Sequence, residues 1–144
     1  MAINKKKEKQ QTKLPKILST TVRNKITFVE VQCPKETNWG DQCELSEWDL
    51  REFDNFPEIE KVWYYYYTGS YEGNGEMISR DRNGKYYIRS LGHCSCYGPT
   101  DSLSFKDGIS FNKLATKCSQ EYAEDLDVLI VTIANEGIYN GNNN

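Results

Sequence analysis

A chain of 144 residues, of which 38% are hydrophobic, is long enough to bury one core, so we expect a single folded domain. No apolar run approaches the roughly 20 residues that a membrane-spanning helix requires, and the basic N-terminal stretch lacks the apolar segment of a secretory signal. The five cysteines are odd in number and irregularly spaced, which favours reduced thiols in a cytoplasmic protein over a disulfide framework.

The net charge of −3 is unevenly distributed along the chain. Residues 1–25 hold eight Lys/Arg against one Glu, whereas the other 119 residues hold ten Lys/Arg against twenty Asp/Glu. Low hydrophobicity and high charge predict a disordered basic tail over residues 1–13, followed by one domain over residues 14–140 and a loose C-terminus over residues 141–144. A basic tail of this kind either remains solvated or binds nucleic acid or another anionic surface.

The first half of the domain carries two local signals. Alternating β-branched residues predict a strand over residues 26–33, which Pro34 ends, and a loop follows. Ser46 and Asp49 have the spacing of a capping box, in which each side chain bonds the other residue's backbone N–H. This pair predicts a short helix over residues 46–54.

A tyrosine-rich strand is expected over residues 61–67, KVWYYYY, because aromatic and β-branched residues suit a pleated sheet. Tyr64 and Tyr66 would lie on one face of this strand, and Tyr65 and Tyr67 on the other. Either both faces are covered by the helices and the N-terminal tail, or one exposed row stacks nucleic-acid bases or anchors a protein partner.

A β-hairpin is the best-supported element of the second half. Asn83-Gly84 is a strong signal for a two-residue turn, so residues 76–82 and 85–91 are expected to pair as antiparallel strands. Gly69, Gly73 and Gly75 precede the hairpin and predict a flexible link.

Apolar residues at helical spacing follow Pro99 and predict two helices, at about residues 110–118 and 121–135. The β-branched run over residues 126–133 leaves a buried strand as an alternative. Together the elements predict the α+β class: a single domain with an antiparallel sheet of three to five strands and helices packed on one face.

The predicted two-residue turn decides which side chains share a face, because side chains alternate along a strand. Arg82 would pair with Lys85, and Arg80 with Tyr87, on the side away from the helices. The predicted ligand-binding residues on this face are Arg80, Arg82, Lys85, Tyr87, Arg89 and His93. Cations around a tyrosine in an acidic protein indicate a site for a small anionic ligand, although a solvated polar face is the simpler alternative.

The segment GHCSCYG at residues 92–98 holds the only histidine and two of the five cysteines. Zinc takes four Cys or His ligands in a tetrahedron, and His93, Cys94 and Cys96 could supply three of them. The fourth would come from Cys33, Cys43 or Cys118. A thiolate nucleophile beside the imidazole is a second interpretation, and buried, inert cysteines are a third.

The segment WYYYYTGSYEGNGEMISRDRNGKYYIRSLGHCSCYGPTDSL resembles a group of small proteins from bacteriophages and bacteria. The shared pattern is a Tyr-rich strand, a Gly-rich link, a hairpin and a block close to GHCSCYGP, here residues 92–99, with Asp101 as the acid that follows. The resemblance covers about residues 61–135. It implies a phage or viral origin and brings no assigned activity.

The sequence contains no P-loop, dinucleotide-binding glycine pattern or zinc finger. We therefore favour a small non-enzymatic binding protein, phage- or virus-encoded, that uses no cofactor. It would engage a host protein or a small anionic ligand through the basic and aromatic face. Zinc- or thiol-dependent chemistry at His93, Cys94 and Cys96 is one alternative, and nucleic-acid binding through the basic tail is another.

Overall fold

A computed structural model describes residues 15–34, 40–69, 72–92, 97–121 and 126–141, without the side chains of residues 117–121 and 138–141. The predicted basic tail over residues 1–13 lies outside the described residues, as do residues 142–144 and the three residues His93, Cys94 and Cys96.

The described strands form one mixed sheet of six. They are β1 (Ile17–Arg23), β2 (Ile26–Val31), β3 (Asp41–Gln42), β4 (Ile59–Gly69), β5 (Glu72–Asp81) and β6 (Tyr86–Ser90). Their order across the sheet is β1-β2-β4-β5-β6, and β3 pairs with β4. Neighbouring strands are antiparallel except β2 and β4, which are parallel.

The described helices are α1 (Glu47–Arg51), a 3₁₀ helix (Glu52–Asn55), α2 (Phe111–Glu121) and α3 (Asp127–Gly141). The predicted α+β class is therefore confirmed, with more strands than expected and one parallel pair. Residues 127–133 of the β-branched run are helical, so the strand alternative is wrong. Gly141, the first residue of the predicted loose C-terminus, is the last residue of α3.

The capping box of α1 is confirmed. The Asp49 N–H donates to the Ser46 hydroxyl oxygen at 3.2 Å, and the Ser46 N–H donates to the Asp49 carboxylate at 2.9 Å. Both bonds satisfy donors that a helix N-terminus leaves without intrahelical partners, which is why so short a helix begins here.

Helices cover both faces of the sheet, which differs from the expected packing on one face. The short-helix face carries Val62 and Tyr64 of β4, packed with Phe53 of the 3₁₀ helix. The long-helix face carries Trp63 and Tyr65, packed with α2 and α3. Consecutive β4 side chains are buried on alternate faces, which is why the strand is apolar or aromatic at every position from 62 to 66.

The first hairpin of the sheet was not predicted. β1 and β2 are joined by Asn24 and Lys25, which have positive φ values of 51° and 65°. Two such residues define the type I′ turn that suits the twist of a two-residue hairpin. The sequence signal is weak because lysine, and not glycine, is in the second position.

The glycines predicted to form a flexible link lie in the β4–β5 ladder, so that prediction is wrong. Gly73 pairs with Thr68, and Gly75 pairs with Tyr66. A Cβ atom on Gly75 would lie 2.1 Å from the Tyr65 carbonyl oxygen, so glycine allows the two backbones to approach at this point.

Candidate functional site

The β5–β6 hairpin forms as predicted, but its turn is longer by one residue. The Asp81 N–H donates to the Lys85 carbonyl at 2.9 Å, so Arg82, Asn83 and Gly84 make a three-residue loop. Of these residues only Gly84 has a positive φ, at 84°. A type I turn followed by a left-handed glycine is the usual form of a three-residue hairpin loop.

The Asp81 carboxylate explains the longer loop. One of its oxygens accepts the N–H groups of Asn83 at 2.9 Å and Lys85 at 3.0 Å. The other accepts the Tyr87 hydroxyl at 2.7 Å. An aspartate at the first position of a type I turn stabilises that turn through such bonds.

These bonds also set the acid–base properties of the pair. Burial acts to raise the pKa of the Asp81 carboxyl, but the hydrogen bonds from Lys85, Tyr87 and Asn83 outweigh it, so the pKa lies below its usual value. The same carboxylate, with a smaller contribution from burial, raises the pKa of the Tyr87 hydroxyl to about 12.

The prediction that these cations share one face with Tyr87 is wrong, because the extra loop residue shifts the pairing of β5 with β6 by one position. Arg80 pairs with Tyr86, and Ser79 pairs with Tyr87. Directly paired residues share a face, so Arg80 lies on the long-helix face, whereas Tyr87 and Arg89 lie on the short-helix face. The guanidinium groups are on opposite sides of the sheet.

The three predicted arginines are bonded within the protein. Arg80 Nε donates to the Glu60 carboxylate, and its guanidinium carbon lies 5.2 Å from the Trp63 ring centroid. Arg82 donates to the carbonyl oxygens of Pro57 at 3.0 Å and Lys25 at 3.2 Å.

Arg89 forms hydrogen bonds with the segment that follows β6. Its guanidinium donates to the carbonyl oxygens of Pro99, Asp101 and Ser102 at 3.3, 2.5 and 3.2 Å. A guanidinium group that donates to backbone carbonyl oxygens holds the segment carrying them in place. These contacts therefore give Arg82 and Arg89 a structural role.

The predicted metal or thiol cluster of His93, Cys94 and Cys96 lies outside the described residues. Within the described part of the chain, no group of three or more His, Cys, Asp or Glu side chains is placed to hold a metal ion. Two of the candidates for a fourth ligand, Cys33 and Cys43, lie in the described part of the chain, and both are half-buried. Burial raises the pKa of the Cys43 thiol, which favours its protonated form.

The tyrosine run is buried on both faces of the sheet. Tyr64, Tyr65 and Tyr66 are each 4% exposed or less. The interpretation in which both faces are covered is confirmed, and an exposed row that stacks bases is wrong for these three rings.

A cleft lies beside the β5–β6 turn, and its lining contains one of the predicted residues, Lys85. The cleft has a volume of about 570 Å³ and is lined by Lys85, Gly108, Ile109, Ser110, Asn112, Lys113 and Thr116. We call it the Lys85–Lys113 cleft. Its lining includes two lysines and no acidic residue, in a protein whose net charge is −3.

Backbone pairing builds the cleft. Tyr86 and Ile109 exchange two backbone hydrogen bonds of 2.8 and 3.0 Å, which dock the 108–110 loop beside β6. A Cβ atom on Gly108 would lie 2.8 Å from side-chain atoms of Lys85 and Tyr87, so this close contact requires glycine. Ser110 then begins α2, where its hydroxyl oxygen accepts the Lys113 N–H at 3.3 Å.

Sequence reasoning identified Lys85 but not Lys113. A helix start near residue 110 was predicted, and Ser110 is a residue type that favours such a start. What the sequence did not show was the pairing of Tyr86 with Ile109, which brings the start of α2 to the hairpin.

Comparison of the chain with protein-family models, curated proteins and solved structures finds no match. The resemblance to phage and bacterial proteins therefore stays a prediction. None of the described helices is long and apolar enough to cross a membrane.

Proposed function

We propose that this is a small non-enzymatic binding protein that holds a small anionic ligand in the Lys85–Lys113 cleft. The observation that supports the proposal is the cleft's charge: two ammonium groups without an acidic neighbour in the lining. Most of the other charged residues in the domain are acidic. An anion would therefore be attracted to the two lysines of this cleft.

The lining residues fit a hydrophilic anion such as a phosphate or a carboxylate. Lysine ammonium groups bind such anions as point charges through charge-assisted hydrogen bonds. Ser110, Asn112 and Thr116 add hydroxyl and amide groups around them. The volume lies within the range of about 300–1,000 Å³ that small-molecule sites occupy.

Salt should weaken the interaction, because both lysines are exposed and exposed charges are screened. The first measurement is isothermal titration calorimetry with inorganic phosphate, pyrophosphate and citrate at two ionic strengths. We expect at least one anion to bind, with lower affinity at the higher ionic strength.

The two lysines are tested by Lys85→Ala and Lys113→Ala. Hydrogen bonds to charged groups contribute about 1.5–3 kcal/mol, so each variant should weaken binding about tenfold or more. Lys106→Ala is the matched control, because Lys106 is an exposed lysine near the loop but not in the lining. An equal loss of affinity in the control, or no binding of any of the three anions at millimolar concentration, would refute the proposal.

Five other interpretations of the sequence stay predictions. They are a host-protein partner, a phage or viral origin, a cytoplasmic location, zinc or thiol chemistry at the 93–96 segment, and nucleic-acid binding through residues 1–13.

A further inference from the structure

An exposed tryptophan marks a second surface, and this residue is not part of the cleft lining. Trp48 on α1 is 75% exposed, whereas Trp63 in the sheet is fully buried. A tryptophan side chain left in water forgoes a large hydrophobic gain, so its exposure calls for an explanation. The ring already holds one cation, because the Arg51 guanidinium carbon lies 4.7 Å from the ring centroid.

A second exposed aromatic side chain is carried by a segment that packs on α1. Tyr97 is 52% exposed. The segment that follows it contacts α1 through Thr100, whose hydroxyl donates to the Asp49 carbonyl oxygen at 2.9 Å. Two aromatic side chains are thus displayed to solvent by adjoining parts of the fold.

Exposed carboxylates belong to the same segments of the chain as these two rings. Glu44, Glu47 and Asp101 are exposed, and the Glu47 side chain retains 70% of its accessible surface although it lies 3.8 Å from the nearest guanidinium nitrogens. Between residues 36 and 60 the sequence holds nine acids against the single base Arg51. We call Trp48, Tyr97 and these three acids the Trp48 surface.

We propose that the Trp48 surface binds a lysine- or arginine-rich segment of a partner protein. Charge complementarity supports this occupant, since the surface offers carboxylates to pair with each cation. The Trp48 ring adds a geometric reason: Arg51 stacks on it, and the remaining exposed ring surface can take a second cation. Nucleic acid is disfavoured because its phosphates would meet the acids.

The expected interaction is centred on the tryptophan, with the charged rim giving specificity. Tryptophan and tyrosine are enriched among the residues that contribute most to protein–protein affinity. Rim charges mainly raise the rate of association and its dependence on salt. A basic segment without regular structure would satisfy both features.

The experiment titrates the full chain, labelled with ¹⁵N, with a synthetic octa-arginine peptide, and follows backbone amide shifts. We expect shifts confined to residues 44–52 and 97–101. Trp48→Ala should weaken binding at least tenfold and Glu47→Gln about threefold, with unchanged thermal unfolding because both side chains are exposed. Glu72→Gln, which removes an exposed carboxylate on β5, is the charge control and should leave affinity unchanged.

Four results would overturn the proposal. Equal weakening by Glu47→Gln and Glu72→Gln, or no effect of Trp48→Ala, would show attraction to the overall negative charge. Shifts at the Trp48 surface on raising the protein concentration without peptide would assign the surface to a second copy. Shifts there on replacing the four lysines at positions 5, 6, 7 and 9 by glutamine in the full chain would assign it to this chain's own basic segment.

Discussion

Replacing Asp81 by alanine should destabilise the protein by about 3 kcal/mol and change the hairpin turn. Asp81 is 7% exposed, and its carboxylate accepts three hydrogen bonds, at 2.9, 3.0 and 2.7 Å. A hydrogen bond to a charged group contributes about 1.5–3 kcal/mol, and less where water can replace the lost partner. The Asn83 and Lys85 N–H groups lie in an exposed turn and take the low end of this range, whereas the half-buried Tyr87 hydroxyl takes a larger share.

Urea unfolding followed by circular dichroism measures the change in the free energy of unfolding. For a chain of 144 residues, an unfolding entropy of about 2.1 cal/mol/K per residue converts 3 kcal/mol into a drop of about 10 °C in Tm. Glu72→Ala removes an exposed carboxylate from the same strand and should change stability by less than about 0.5 kcal/mol.

The effect of Asp81 should depend on pH in a defined direction. The pKa of this carboxyl is lower in the folded protein than in an unfolded aspartate. Its stabilising contribution is therefore complete above about pH 4 and declines as the pH falls through the folded-state pKa. The stability gap between the parent protein and Asp81→Ala should narrow below pH 4. A gap under about 1 kcal/mol at pH 7, or one that does not narrow in acid, would refute the role given to this side chain.

Two further predictions concern the sheet and its tyrosines. Gly75→Ala should destabilise the protein by several kcal/mol in urea unfolding, because the new methyl group would meet the Tyr65 carbonyl oxygen at 2.1 Å. Gly137→Ala, in an exposed position of α3 with nothing within 4 Å, should instead stabilise it by about 0.5–1 kcal/mol; comparable losses in both variants would contradict the steric argument. In an ultraviolet titration, Tyr66 and Tyr87 should ionise only near pH 12, since burial raises the pKa of Tyr66, and the bond to a carboxylate raises that of Tyr87, to about 12. These two hydroxyls stabilise the fold below pH 10 and lose that contribution as the pH rises through 12, so normal titration of all ten tyrosines near pH 10 would contradict the hydrogen bond and the burial described.

Elements set by contacts between near neighbours were predictable from the sequence. The capping box of α1 depends on Ser46 and Asp49, three positions apart, and both of its hydrogen bonds form. Helical spacing likewise predicted helices at about residues 110–118 and 121–135, and the structure has α2 over Phe111–Glu121 and α3 over Asp127–Gly141. The strand over Ile26–Val31 formed because its β-branched residues fit a sheet that buries both of its faces.

The face on which the predicted binding residues lie was less predictable, because it depends on which of two turns forms at the end of the hairpin. Asn83-Gly84 favours a two-residue turn, but the Asp81 side chain bonds two backbone N–H groups ahead of it and stabilises a three-residue loop. A shift of one residue exchanges the faces of a strand, so the predicted cationic face was divided. The cleft could not be predicted because Tyr86 and Ile109 are far apart in sequence, and their pairing is a tertiary contact.

The close approach at Gly75 has a consequence for how the central hairpin finds its alignment. Four successive tyrosines at 64–67 are nearly equivalent to a neighbouring strand, so a slip by one position would cost little in side-chain identity. Gly75 removes this degeneracy, since a slipped partner would bring the Cβ of Asn74 or Glu76 against the Tyr65 carbonyl oxygen. A residue with no side chain thereby fixes the alignment of β4 with β5 that the repeated tyrosines leave undetermined.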